Sequence, residues 1–240
     1  RRHDGIGDQE EAYVGRENLT KYHEGLLWGN TMGAFGACYA MRARLFTPVP
    51  TNYIVDDFFQ TMGELETGSL AVVELDAVCH EAVSTEIEEE FRRKQRIATG
   101  NFQNFRHFLS LFLPWSGGWA NAFAFWSHKG LRWLGPLLLI AAGLAGTVLA
   151  FDSWFYRILW GGMAAGVAGC AADALLARSG ARFQVRPLRF LRYFLAMNLA
   201  IFLGMIRFLG GAHNSVWEPT KRVAARKRST ADSRSPESVQ

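Results

Sequence analysis

Two short stretches hold the residue types from which an active site could be built. Asp56 and Asp57 stand side by side at the start of a helical pattern over Tyr53–Leu65. Arg92, Arg93, Lys94 and Arg96 follow an acidic run in a second helical pattern. A carboxylate can take a proton from a hydroxyl, and the planar fork of an arginine suits phosphate oxygens. Both groups also have a plainer use, because acids in a first helical turn and bases further along suit the helix dipole. The basic side of such a helix can equally face solvent or lipid. Residue types alone leave both uses open. Upstream, residues 28–41 (WGNTMGAFGACYAM) are rich in small residues and suit close packing of backbone against backbone or ligand. His80, next to Glu81, reads as a hydrogen-bonded structural residue rather than as a ligand.

The elements expected to position these residues change character along the chain. Residues 1–24 are polar, with Gly5, Gly7 and Gly15, and read as loop passing into a short helix. Residues 69–75, SLAVVEL, suit a short buried strand. Thr85 with Glu88 forms a capping box that opens the helix bearing the arginines. From Phe105 to Trp126 the sequence is apolar and aromatic, broken by Pro114 and Gly117-Gly118, which predicts broken helices lying along a membrane surface.

Leu131–Ala150 is a run of twenty residues, about 30 Å as helix and enough to cross a bilayer. Ile158–Ala177 is a second run of that length. Trp154, Phe155 and Tyr156 lead it as an aromatic belt, and Gly162 and Gly166 permit close helix packing. Asp173 is expected to reach the interface, and His128 and Lys129 to anchor at headgroups. Only fourteen residues separate Arg192 from Arg207, about 21 Å as helix. Arg178, Arg182, Arg186, Arg189 and Arg192 ask for the cytoplasm, as does the basic Lys221–Arg228 tail. One crossing between them would separate two cytoplasmic segments, so the third apolar segment is expected to be interfacial or re-entrant; the alternative is a tail that lies outside against its charge.

The net charge of +4 over 240 residues is carried by basic clusters flanking apolar runs. That arrangement points to anionic lipid, and no aromatic-and-basic recognition motif argues for nucleic acid. Cys38, Cys79 and Cys170 are far apart and form no CxxC pair, which excludes a disulfide framework or a cysteine zinc site. No phosphate-binding glycine loop of the P-loop or Rossmann kind is present.

Taken in order, Gly33-Ala34-Phe35-Gly36-Ala37-Cys38-Tyr39-Ala40-Met41-Arg42, then Val55-Asp56-Asp57, then Arg93-Lys94-Gln95-Arg96, resemble the later half of a family 2 glycosyltransferase domain. The pattern is similar to that of cellulose synthase and hyaluronan synthase relatives. There a glycine-containing stretch ending in Arg precedes Thr-Glu-Asp, followed by Gln-x-x-Arg-Trp and membrane segments. Ser127–Trp133 and Ser215–Lys221 extend the likeness weakly at the outer end. Val55-Asp56 stands for Thr-Glu here, Arg93 for the Gln, and Ile97 for the Trp.

The resemblance implies an α/β fold, a partial GT-A domain, followed by an α-helical transmembrane region. Its divisions would be residues 1–104 for the GT-A half, 105–130 for interfacial helices, 131–214 for the membrane region and 215–240 for a basic tail. It implies inverting transfer of a sugar from a nucleotide sugar donor to a growing polysaccharide or lipid-linked glycan acceptor. The catalytic domain would lie on the cytoplasmic face of the membrane. Asp57 would be the general base with Asp56 beside it, Arg96 and Arg93 would meet the donor diphosphate, and Gly36 would lie on the acceptor side. Mg or Mn would assist, with ligands upstream of residue 1, so the chain is expected to be a fragment inactive by itself. The alternative is a non-catalytic membrane subunit that scaffolds a polysaccharide synthase.

Overall fold

The computed structural model describes residues 6–79, 87–178 and 186–211. His80 and Glu81, Thr85 of the expected capping box, Arg182 and the Ser215–Lys221 and Lys221–Arg228 stretches lie outside them. Among the described residues, seven α-helices run in order: α1 (Ile6–Trp28), α2 (Asp56–Glu66), α3 (Ile87–His107), α4 (Trp119–Phe125), α5 (Leu131–Asp152), α6 (Trp154–Arg178) and α7 (Arg186–Leu209). Short 3-10 turns cover Ala43–Leu45 and Leu109–Phe112, and a π turn over Trp126–Gly130 joins α4 to α5.

The expected α/β domain is not formed. Among the described residues there is no strand element and no sheet, and the segment read as strand 69–75 makes one isolated parallel bridge, Asn30 with Ala71. Thr31 N–H donates to the Ala71 carbonyl at 3.0 Å, and Ala71 N–H donates to the Gly29 carbonyl at 2.7 Å. A strand gains stability only from a ladder of several neighbours. Here only the turn after α1 is at hand, so Leu70 and Val72 stay exposed.

The polar N-terminal stretch, expected as loop and short helix, is instead the 23-residue α1. Its buried face carries Glu17, Lys21 and Glu24, at helical spacing i, i+4 and i+7. That face is charged, so hydrophobic periodicity gave no sign of it.

The core lies where α2, α3, the turn after it and the start of α5 meet. Phe58, Phe59, Met62 and Leu65 of α2 pack with Phe102 of α3 and with Phe108, Phe112, Phe125 and Trp133. Phe112 and Phe125 stack with centroids 3.7 Å apart, the tightest of a run of aromatic contacts. Each such large ring contributes about 1.5–3 kcal/mol through burial. This core fixes α2 and α3 relative to the start of α5.

Among the described residues, three helices are long and apolar enough to cross a membrane: Trp119–Asp152, Trp154–Leu176 and Pro187–Leu209. Ser153 alone separates α5 from α6, so the two form an antiparallel hairpin. The third helix extends well past Arg192 and reaches about 36 Å, so it is not short, as the spacing of its arginines suggested. In its first half Leu188 meets Gly169, and Arg192 pairs with Asp173 of α6 at 3.0 Å. Asp173 is therefore buried in an ion pair rather than reaching an interface.

The second half of α7 packs along α3. A side chain at Gly204 would overlap Ala98 Cβ at 2.6 Å, and Phe208 stacks on Phe102. Both halves of α7 thus attach toward the end of the hairpin that holds Leu131 and Arg178.

Candidate functional site

Asp56 and Asp57 open α2, whose N-cap residue, Val55, has no polar side-chain atom to accept from the first-turn N–H groups. The two carboxylates serve the exposed N–H groups of this first turn. Asp57 N–H donates to Asp56 Oδ1 at 3.0 Å, and Phe58 N–H donates to Asp57 Oδ1 at 2.7 Å. Asp56 remains exposed, whereas Asp57 is half-buried. The second oxygen of Asp57 turns toward the glycine-rich loop. A Cβ on Gly36 would meet Asp57 Oδ2 at 2.9 Å, so glycine there is a matter of space. The loop is held beside α2 by Ala34 N–H, which donates to Thr61 Oγ1 at 2.9 Å.

Burial pushes the Asp57 carboxyl up, the Phe58 N–H opposes this, and the charge of Asp56 adds to it. A carboxylate so placed holds a proton more readily than one in water, the direction a general base requires.

On the other side of Asp56 lies an open cleft of about 590 Å³, lined by Val49, Pro50, Thr51, Tyr53, Ile54, Asp56 and Arg96. Arg96 comes from α3 and is drawn into the cleft wall. Burial and the neighbouring Arg93 lower its proton affinity, and Asp56 opposes them. The cleft therefore brings Asp56 and Arg96 together, while Asp57 and Gly36 form a second pair around the helix start.

Arg93 takes no part in the cleft lining. Its Nε and Nη2 donate to the two oxygens of Glu90, at 2.9 and 3.0 Å, and Lys94 approaches the same carboxylate at 3.3 Å. Glu90 is fully buried. Burial by itself would raise its pKa, but the Arg93 hydrogen bonds and the Lys94 charge hold it below the usual range.

Sequence reasoning missed a second polar centre. Glu17 of α1 accepts from Lys129 Nζ and from Arg132 Nη1, the latter at 2.9 Å, and stands 3.2 Å from His128 Nε2. Glu24 accepts from His128 Nδ1 at 2.7 Å and from the Met32 N–H at 3.0 Å. All these side chains except Arg132 are buried. His128 and Lys129 are therefore tied to α1, not spread into headgroups.

The π turn makes this possible by widening the helix where both residues must face α1. The signal available in the sequence was the spacing of Glu17 and Glu24 against a His-Lys pair at the mouth of an apolar run. Burial alone would raise Glu17, but the His128 hydrogen bond and the charges of Lys129 and Arg132 hold it far below the carboxylate range.

No protein-family model, curated protein or solved structure matches the chain.

Proposed function

We propose that the chain serves inverting glycosyl transfer from a nucleotide sugar at the cytoplasmic face of the membrane. The observation that carries the reading is the placement of Asp57. A half-buried carboxylate with raised proton affinity presents one oxygen to the bare backbone of Gly36. In the reaction the acceptor hydroxyl gives its proton to Asp57 as its oxygen bonds to the anomeric carbon. The bond from that carbon to the diphosphate breaks, and its electron pair leaves on the diphosphate oxygen.

Arg96, on the opposite flank of Asp56, supplies a planar cation for those phosphate oxygens. Arg93, engaged by Glu90, steadies the helix from which Arg96 projects. No group of three His, Cys, Asp or Glu among the described residues could hold a divalent metal. Ligands for the Mg or Mn implied by the resemblance would lie elsewhere, and what this chain supplies is the proton acceptor Asp57 and the phosphate contact Arg96. The acceptor is a growing polysaccharide or a lipid-linked glycan, and the membrane helices hold the site at its surface.

The absence of a sheet among the described residues favours a second reading, a non-catalytic subunit scaffolding a synthase. Membranes from cells expressing the natural gene product, offered a panel of radiolabelled nucleotide sugars, separate the two. Loss of a positioned base typically lowers the rate by about 10²–10⁴, so Asp57→Asn is expected to lose transfer by that factor while nucleotide binding persists. Asp56→Asn is the neighbouring control and should keep most activity. Equal transfer by parent and Asp57→Asn membranes would remove the catalytic reading and leave the scaffold.

A further inference from the structure

Lys21 has no part in the reaction as written above, yet it is buried beside it. Its side chain rises from the middle of α1 and is only 4% exposed. The ammonium sits 3.5 Å from the centroid of the Phe35 ring. Phe35 precedes Gly36, the residue that Asp57 Oδ2 closely approaches. The Lys21 backbone is pinned as well, because Thr31 Oγ1 donates to the Lys21 carbonyl at 3.0 Å. Glu17 lies 4.0 Å from Nζ, a long contact to a carboxylate already serving Lys129 and Arg132. A buried ammonium is costly unless an anion compensates it. Glu17 is shared among several cations and Glu24 is engaged by His128 and the Met32 N–H, so Asp57 shares with them the task of balancing Lys21.

The geometry points to Lys21 as a positioning residue for Asp57: its ammonium, held against Phe35 next to Gly36, helps to keep the carboxylate on the other side of Gly36 charged. This rests on reading Asp57 as the base and adds what sustains its charge.

The groups that bear on the pair come from every neighbouring element. Glu17 and Glu24 stand on α1 and Asp56 on α2. Lys129 and Arg132 come from the membrane helix, and Tyr39 from the loop. Burial and Lys129 push Lys21 down to about 7, while Glu17, Asp57 and Glu24 pull it back up. Lys21 and Lys129 in turn lower the proton affinity that burial raises at Asp57. Below about pH 7 the ammonium is charged and supports the carboxylate, and that support fades as pH rises through this value.

The test needs no donor sugar. The chain, labelled with ¹³C at aspartate carboxyls and placed in lipid nanodiscs, is titrated by NMR, and Asp57 is assigned by the signal that Asp57→Asn removes. Lys21→Met should move the Asp57 midpoint upward by about one pH unit, the effect of losing a nearby opposite charge. Lys21→Arg, charged throughout, should restore it.

A second reading survives if Lys21→Met fails to fold. The parent Asp57 signal should show a further inflection near pH 7 as Lys21 titrates, and Lys21→Arg should abolish it. An unmoved midpoint in folded Lys21→Met, or a parent titration identical to that of Lys21→Arg, would overturn the assignment. The transfer assay on Asp57→Asn judges the base independently, so the two ideas fail separately.

Discussion

Two of the places where described helices meet bury charges, and they satisfy them differently. Where α1 meets the start of α5, Glu17 and Glu24 gather His128, Lys129, Arg132 and a backbone N–H into one connected network. Where α6 meets α7, a single pair joins Asp173 to Arg192. The first joins a polar helix to the mouth of an apolar one. The second ties together two helices that both present apolar side chains outward. A network whose lone pairs and protons are matched rigidifies its surroundings, and removal of a central member leaves several charges uncompensated. A single pair mainly fixes register, and deleting both partners leaves little behind.

The largest expected effect is at the centre of the network. Glu17→Ala strands Lys129 in a buried site and should lower stability by about 3–5 kcal/mol, seen as a lower melting temperature in detergent. The same carboxylate sets an acid limit. Its folded pKa lies far below the ordinary value of 4.5, so its contribution is fully present above that pH. The contribution falls steadily as the unfolded chain takes up a proton below it. Glu17→Gln should flatten this acid-side decline, and a parent whose melting temperature is level from pH 6 to about 3.5 would contradict the network's role.

Next comes the seam between α7 and α3. Gly204 lies against Ala98 Cβ and Gln95 O, and Thr99 Oγ1 donates to its carbonyl. Gly204→Leu forces these helices apart and should cost about 1–3 kcal/mol, with loss of the Phe102–Phe208 stack. A smaller effect is expected at the isolated ion pair. Asp173→Leu combined with Arg192→Leu should change stability by less than about 1 kcal/mol, because two charges leave together. A double variant as damaged as Glu17→Ala would erase the distinction between the two junctions.

Topology sharpens the contrast without a stability change. Both halves of α7 attach toward the Leu131 end of the α5–α6 hairpin. On a cysteine-free background, Ser153→Cys should therefore react with an impermeant thiol reagent added outside intact cells, and Gly210→Cys should not. Reaction at both would show that α7 crosses the bilayer. The smallest effect belongs to the aromatic surface. Trp115 is 80% exposed, so Trp115→Ala should alter folding stability by no more than about 0.5 kcal/mol while weakening attachment to lipid vesicles.

The elements that could be read from the sequence are those whose stability is local. The helix opened by Asp56 and Asp57, the breaks at Pro114 and Gly117-Gly118, and the apolar helices α5 and α6 each announce themselves through turn chemistry or composition. Solvent preference along a contiguous stretch is enough to specify them.

Of the candidate site, the residue types and their order were legible, but their grouping was not. That Arg96 shares a cleft with Asp56 while Arg93 is taken by Glu90 depends on the side of α3 that α2 and α7 cover. The failed strand at 69–75 teaches the same lesson, since a strand needs partners that composition cannot supply.

The sequence by itself determined that this chain carries long apolar helices, an acidic helix start and a run of arginines. Only the tertiary structure decided that Glu17, Lys21 and Glu24 turn inward. A buried charge is stable only where opposite charges from distant segments, here His128, Lys129 and Arg132, converge on it, and that convergence is a property of the folded chain.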